Sequence, residues 1–305
     1  MTNDKGKMTK TAWVFPGQGS QAIGMGIDLL DIDYAKDKFA AAEEILGWSV
    51  PEICQREDDS LSRTLYTQPS MYVIESILAD LLRERGQQPD LVAGHSLGEY
   101  VALYVASVFE WSTGLHLVKR RAELMDSAAG GKMAALIGFD REQLEQQIQQ
   151  IPDVVLANDN SPAQVVISGT PAAVETLISQ IKTKRAIPLN VSGAFHSHLM
   201  AAAASEFQTV LSSVTFKPAQ IPVLSNTEPI PSVDGDRLKE RLSRQMTGSV
   251  RWREISERLP QEGIERVVEI GPGTVLTGLI KRTSPNLILS NICSVDDIIK
   301  DSGSN

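Results

Sequence analysis

The chain has 305 residues, of which 42% are apolar and 22% charged, and carries a net charge of −9. That length exceeds what one hydrophobic core usually fills, so a main domain with a smaller inserted or appended one is expected. The acidic balance argues against nucleic-acid binding, which needs a concentrated basic stripe. Only short basic clusters occur, at Lys119–Arg121, Lys182–Arg185 and Lys281–Arg282. No apolar run approaches the ~18 residues of a membrane span. The polar start MTNDKGKMTK lacks the apolar stretch of a signal peptide. Cys54 and Cys293 lie far apart and near no histidine cluster, which suits reduced thiols in a cytoplasmic protein.

Thr11–Phe15 (TAWVF) reads as a short buried strand that runs into the turn PGQGSQ. Helical patterns follow at Tyr34–Leu46 and Pro69–Arg85. Asp90–Ala93 is a brief strand, followed by GHSLG, a helix through Tyr100–Ser107 and an amphipathic helix over Thr113–Ser127. The middle then changes character. Met133–Gly138 is strand-like, Arg141–Gln150 helical, Val154–Asn158 and Gln164–Gly169 two strands, Ala172–Thr183 helical and Arg185–Leu189 strand-like. That order, β-α-β-β-α-β, is the ferredoxin-like unit. After Trp252 come a helix, a strand at Val267–Ile270, a GPG turn, a helix at Val275–Arg282 and a strand at Asn286–Asn291. Strands alternating with helices argue for a mostly parallel sheet covered on both faces. The expected fold class is α/β. A large α/β-hydrolase-like domain (8–127 and 199–300) carries an inserted small ferredoxin-like α+β domain (128–198). Residues 1–7 and 301–305 are expected to be frayed tails.

Three segments carry chemistry. Gly94-His95-Ser96-Leu97-Gly98 has the G-x-S-x-G form of a nucleophile elbow, in which a tight turn lifts the serine hydroxyl clear of the sheet. The helix that follows places its N-terminus beneath any oxyanion formed there. A serine is a weak nucleophile and needs a base. Of four histidines, His95 points away from Ser96 on an elbow and His116 sits within a helix. His196 and His198 remain, at the junction where the small unit returns to the large one, and domain junctions favour active sites. The turn at Gln18 could supply a second oxyanion donor beside the Leu97 N–H. Lys119, Arg120 and Arg121 cannot all face one way on a helix, and an inward arginine needs an anion.

Taken together, VFPGQGSQ, GHSLGEY, VKRRAELM, ANDNSPAQVVISG, NVSGAFHSHLM, RQMTGSVRW and EIGPGTVLTGLIKR resemble the malonyl-CoA:acyl-carrier-protein transacylases of fatty acid synthesis. They also resemble the free-standing acyltransferases of polyketide synthesis. The resemblance spans nearly the whole chain and includes the inserted ferredoxin-like unit. It implies Ser96 as the acylated nucleophile and His196, rather than His198, as its base. It implies Arg121 as the grip on the malonyl carboxylate, where a planar guanidinium holds two oxygens as a lysine cannot. Gln18 and Leu97 are implied as oxyanion donors. Gln245 is implied to orient the histidine through its backbone carbonyl, in place of a triad carboxylate. Asn158, Asn160 and Gln164 match the small-domain border of the cleft, and Phe195 a position tied to acyl-chain choice. Two departures occur: the family usually has Gly where Ala122 stands, and RQMTGSVRW lacks an Asn-Pro often seen there.

The expected reaction is ping-pong transfer of a malonyl group from malonyl-CoA to the phosphopantetheine thiol of an acyl carrier protein. No metal or redox cofactor is implied. A monomer suffices. Lys182, Lys184, Arg185, Lys281 and Arg282 are candidates for a local basic patch that meets the acidic partners. The main alternative is an acyl hydrolase that clears stalled acyl groups from carrier proteins, although Arg121 argues for a carboxylated acyl group.

Overall fold

The computed structural model describes residues 9–191 and 193–302. In chain order, β1 (Thr11–Phe15) is followed by α1 (Asp33–Leu46), α2 (Val50–Gln55) and α3 (Thr64–Glu84). β2 (Leu91–Gly94) leads into α4 (Gly98–Val105) and α5 (Trp111–Ser127). The middle comprises β3 (Lys132–Phe139), α6 (Arg141–Gln150), β4 (Val154–Ser161), β5 (Gln164–Gly169), α7 (Pro171–Gln180) and β6 (Thr183–Pro188). Then come α8 (Ala201–Ser212), β7 (Val223–Leu224), α9 (Gly235–Ser243) and α10 (Trp252–Gln261). β8 (Arg266–Ile270), α11 (Val275–Thr283), β9 (Ile288–Ile292) and α12 (Val295–Ser302) complete the chain.

Two sheets result. The larger has the order β7-β2-β1-β8-β9 with every pairing parallel. β1, β2, β7 and β8 are buried on both faces, and alternation across the pleat sends their side chains into two cores, while the edge strand β9 is partly exposed. On β1, Trp13 and Phe15 enter the core beneath α3 and α4, while Ala12 and Val14 enter a second core with Trp252, Leu259 and Leu279. The smaller sheet is antiparallel with order β4-β5-β3-β6, the pairing of a ferredoxin-like unit. Ala134, Leu136, Val165 and Ile167 pack its apolar face against Leu144 of α6 and Val174 and Leu177 of α7.

The α/β class, the parallel sheet and the inserted antiparallel sheet agree with the sequence reading, and several boundaries move. The helix expected from Pro69 starts at Thr64, so Pro69 lies inside it. The opening turn is held from outside the helix ladder, because Thr67 Oγ1 donates to the carbonyl oxygens of Leu61 and Arg63. The helix expected to reach Thr183 ends at Gln180. Ile181 turns extended and buried there, and the Lys182 amide donates to Gln143 Oε1. β4 runs past Asn158 to Ser161 by means of register shifts. Helices α8 and α9 fall in a stretch with no sequence assignment. Asp301 and Ser302 belong to α12 rather than to a tail, while 1–7 and 303–305 lie outside the described residues.

The smaller sheet is fastened to the larger one at the tip of β4. Asn158 bridges to Val250, and the Asp159 amide donates to the Val250 carbonyl at 2.9 Å. Asp159 also pairs with Arg253 of α10 at 3.0 Å and with Arg141 at 2.9 Å. A cleft lies between the sheets above the carboxyl ends of β1 and β2, where open α/β sheets place their ligands.

Candidate active site

The turn between β2 and α4 is packed backbone against backbone. A Cβ on Gly94 would lie 1.9 Å from the Gly98 carbonyl carbon, and one on Gly98 would lie 2.0 Å from the Phe15 oxygen. A Cβ on Gly17 would lie 2.5 Å from the His95 oxygen. The glycines thus seat the PGQG turn directly beside the GHSLG turn. Ser96 at the apex has φ 53°, a left-handed conformation that costs a serine about 1 kcal/mol or more. Among the described residues, no acceptor takes the backbone N–H of Gln18 or Leu97. Both residues line an inner pocket of about 70 Å³ with Ser96 and His196.

His196 Nε2 lies 2.8 Å from Ser96 Oγ. Its Nδ1 faces the carbonyl oxygens of Gln245 at 2.9 Å and Gly248 at 3.2 Å. Carbonyls only accept, so the ring proton sits on Nδ1 and Nε2 is free to receive the serine proton. Burial, reinforced by the Arg121 charge, pushes the His196 pKa down to about 3. The ring is therefore neutral at physiological pH, held by peptide carbonyls instead of a carboxylate. The other histidines are engaged elsewhere. His198 Nε2 faces Asp153 at 3.0 Å, His116 Nδ1 faces the Ser112 carbonyl, and His95 Nε2 faces Asn160 Oδ1 at 2.8 Å.

Of the three basic residues on α5, Arg121 alone is fully buried. Its Nη1 donates to Gln68 Oε1 at 2.7 Å. Its Nη2 donates to Ser96 Oγ at 2.9 Å and to Gln245 Oε1 at 3.0 Å. The Nε proton has no partner, and no carboxylate lies within ion-pairing distance among the described residues. A buried cation with no directly paired carboxylate is costly; Glu99 acts on it only from farther off, and its hydrogen-bond partners Gln68 and Ser96 line the inner pocket.

Outside the inner pocket lies a cleft of about 290 Å³, lined by Gln18, Gln21, Asn158, Asn160, Gln164 and Leu279 among others. Its polar groups are amides, hydroxyls and the His95 imidazole, which burial keeps neutral. Gln18, Ser96, Leu97, Phe195 and His196 line the inner pocket, Arg121 and Gln245 stand behind it in contact with Ser96 and His196, and Gln18 and Asn158 border both spaces. Phe195 is buried in the inner wall beside Met125 and Met133. The Asn158 Oδ1 is buried without a partner.

Several residues were not anticipated. Gln68 holds Arg121, and Thr64 receives the Gln18 side chain at 3.0 Å. Asn226 Oδ1 accepts the Ser96 N–H at 2.7 Å while its Nδ2 donates to the Gly94 carbonyl at 2.6 Å. Buried Glu99 accepts from both the Asn226 amide and Gln245 Nε2. Glu99 sits in the GHSLGEY run, one turn past the nucleophile, which was a usable signal. Nothing local marks Asn226. Among the described residues no trio of His, Cys, Asp or Glu is arranged to hold a metal ion. No described helix is long and apolar enough to cross a membrane.

An elbow serine, a neutral histidine and an inward guanidinium at the mouth of a cleft define a serine acyl-transfer enzyme. Residues 12–304 match the acyl transferase domain family, and the chain belongs to that family. It is 60% identical over 289 residues to the malonyl CoA-acyl carrier protein transacylase of Synechocystis sp., covering 95% of this chain and 99% of that one. The crystal structure of the Synechocystis malonyl-CoA:ACP transacylase superposes with a TM-score of 0.94 over the same shares of the two chains. A malonyl-transacylase solved in complex with its type II polyketide acyl-carrier protein superposes at 0.93, with 35% identity, covering 97% of this chain and 100% of that one.

Proposed function

We propose that this protein moves a malonyl group from malonyl-CoA to the phosphopantetheine thiol of an acyl carrier protein through an ester on Ser96. The observation that carries the reading is Arg121, a fully buried guanidinium with no carboxylate within ion-pairing distance among the described residues, 2.9 Å from Ser96 Oγ. It supplies the charge a malonyl carboxylate needs and that an acetyl group would leave unmatched.

His196 takes the Ser96 proton on Nε2 as Oγ attacks the thioester carbon. The tetrahedral oxyanion is received by the N–H groups of Gln18 and Leu97, with the α4 N-terminus beneath it. Collapse breaks the C–S bond, and the CoA sulfur leaves with the proton from His196. The carrier thiol then gives its proton to His196, attacks the acyl-serine and restores the hydroxyl. The Gln245 carbonyl keeps the imidazole in the reactive tautomer throughout.

The neutral outer cleft suits the pantetheine arm, which the acyl donor and the acyl acceptor share and which carries amides but no charge. Asn158, Asn160 and Gln164 are its proposed contacts. Phe195 narrows the acyl pocket and disfavours an α-methyl branch. The reading keeps a large part (8–127 and 199–300) and an inserted part (128–198) that together enclose the cleft. Exposed Lys182, Lys184 and Arg185 beside β6 and exposed Lys281 and Arg282 on α11 are the proposed docking charges for the acidic partners.

Intact-protein mass after brief mixing with malonyl-CoA tests the reading, on wild type and on Ser96→Ala, before and after addition of a phosphopantetheinylated carrier protein. A malonyl-sized gain on wild type alone that then passes to the carrier is expected. An adduct lost to water while the carrier stays unloaded would replace transfer with hydrolysis.

A further inference from the structure

The Ser96 carbonyl and the Leu97 N–H belong to one trans peptide unit, in which the two groups point in opposite directions. Gln245 Nε2 donates to the Ser96 oxygen at 2.9 Å from within the protein interior, where the Glu99 backbone N–H reaches the same oxygen at 3.2 Å. Fixing the carbonyl inward therefore aims the N–H outward, towards the inner pocket that Leu97 lines.

The Gln245 amide can sit only one way round. Its Nε2 faces three acceptors, the Ser96 carbonyl, Glu99 Oε2 at 2.7 Å and, more distantly, Asn226 Oδ1 at 3.4 Å. Its Oε1 faces a donor, Arg121 Nη2 at 3.0 Å. A flipped amide would set its oxygen against these acceptors and its N–H groups against a guanidinium, so none of the side chain's own hydrogen bonds would survive. Asn226 completes the frame. Its amide ties the Ser96 N–H to the Gly94 carbonyl, and its backbone N–H donates to the same Glu99 oxygen at 3.2 Å. Both backbone groups of Ser96, strained at φ 53°, are thus held by side chains that meet at one buried carboxylate.

We propose that the side chain of Gln245, oriented by Glu99, is a positioning residue that aims the Leu97 N–H at the oxyanion, a role separate from its backbone carbonyl on His196. The inference rests on the acyl-serine reading above. It predicts that removing the amide weakens stabilisation of every oxyanion formed on Ser96, whether or not the acyl group carries a carboxylate.

Gln245→Met keeps the backbone carbonyl and the approximate length of the side chain while removing the amide. Transfer of an acetyl group, which brings no carboxylate for Arg121 to hold, should fall about 10- to 100-fold in kcat, the range of a lost or misaimed oxyanion donor. The carbonyl stretch of a carbon-13-labelled acyl-Ser96 ester should move to higher frequency as its hydrogen bond weakens, a signature that simple destabilisation would not give. An unchanged stretch, or a loss confined to malonyl with acetyl transfer intact, would overturn the proposal in favour of a role in holding Arg121. If the variant does not fold, wild type inactivated at Ser96 by an alkyl fluorophosphonate decides the matter. Its crystal structure should show the phosphoryl oxygen about 3 Å from Leu97 N with the Ser96 carbonyl still on Gln245 Nε2. A phosphoryl oxygen turned away from Leu97 overturns it. Failure of wild type to acylate Ser96 at all would instead defeat the transfer reading itself.

Discussion

Arg121 donates from Nη2 to Ser96 Oγ at 2.9 Å while the same oxygen lies 2.8 Å from His196 Nε2. Arginine offers only donors, so the hydroxyl proton is directed to the histidine and the serine lone pair to the guanidinium. Before acylation the cation polarises the nucleophile. Afterwards its unpartnered Nε and its forked nitrogens are available to the acyl carboxylate. Arg121→Ala should therefore lower kcat/KM for malonyl transfer by about 100-fold or more, the scale of a broken buried charge pair. Acetyl transfer should lose much less. Arg121→Lys should not restore malonyl transfer, because an ammonium cannot reproduce the fork. Parallel loss with both donors would remove the carboxylate role.

The base is active when neutral, and burial with the Arg121 charge holds the His196 pKa down to about 3. The acid limb of kcat/KM reports the free enzyme. It should lie well below the ordinary histidine value of about 6.5, leaving the profile flat from neutrality down to about pH 4. Arg121→Ala removes one of three lowering causes, burial and the His95 ring remaining, so its acid limb should move upward. Stability follows the same linkage with a definite sign. Between about 3 and 6.5 the unfolded chain binds a proton at His196 that the folded chain does not, so this residue lowers stability as pH falls through that window. Replacing His196 with Gln should flatten the acid side of the stability profile, as read from denaturant midpoints at pH 7 and pH 5.

The order of strands and the elbow were legible because they rest on local rules. TAWVF alternates across a pleat, and GHSLG needs glycines that the backbone contacts of Gly94 and Gly98 demand. Helix α8 was legible too and went unread: Ala203, Phe207 and Leu211 repeat every fourth residue on its buried face. What local sequence could not supply is meeting across distance. Asn226 reaches Ser96 over 130 residues and Gln245 reaches it over 149. The choice of His196 over His198 likewise depended on family likeness. In the fold His196 meets Ser96 Oγ while His198 turns towards Asp153.

Close approach at the elbow makes Gly98 a sensitive position. An added Cβ would stand 2.0 Å from the Phe15 oxygen, and neither backbone can retreat without opening the β1–β2 pairing. Gly98→Ala should cost about 3 kcal/mol, at the upper end for overpacking, with a fall in Tm of roughly 6–12 °C. Gly278, inside α11, has nothing within 4 Å of a built Cβ. Gly278→Ala should raise stability by about 0.5–1 kcal/mol, because a helical alanine loses less backbone entropy on folding. Equal thermal shifts in the two variants would contradict the steric account.

Phe195 should set the ceiling on acyl size. Its ring shares the inner wall with Met125 and Met133 in a pocket of about 70 Å³, which leaves little space beside the α-carbon of a bound malonyl group. Phe195→Ala would widen that wall and raise kcat/KM for methylmalonyl relative to malonyl by about 10-fold or more, the usual value of one methyl group in a closed pocket. Competition between the two CoA esters, read as the ratio of loaded carrier masses, measures the change directly. The histidine next in sequence makes the control necessary. The ratio must change while the acid limb of malonyl transfer stays in place, since a moved His196 would shift both. A ratio unchanged from wild type would transfer the role of size filter to the two methionines.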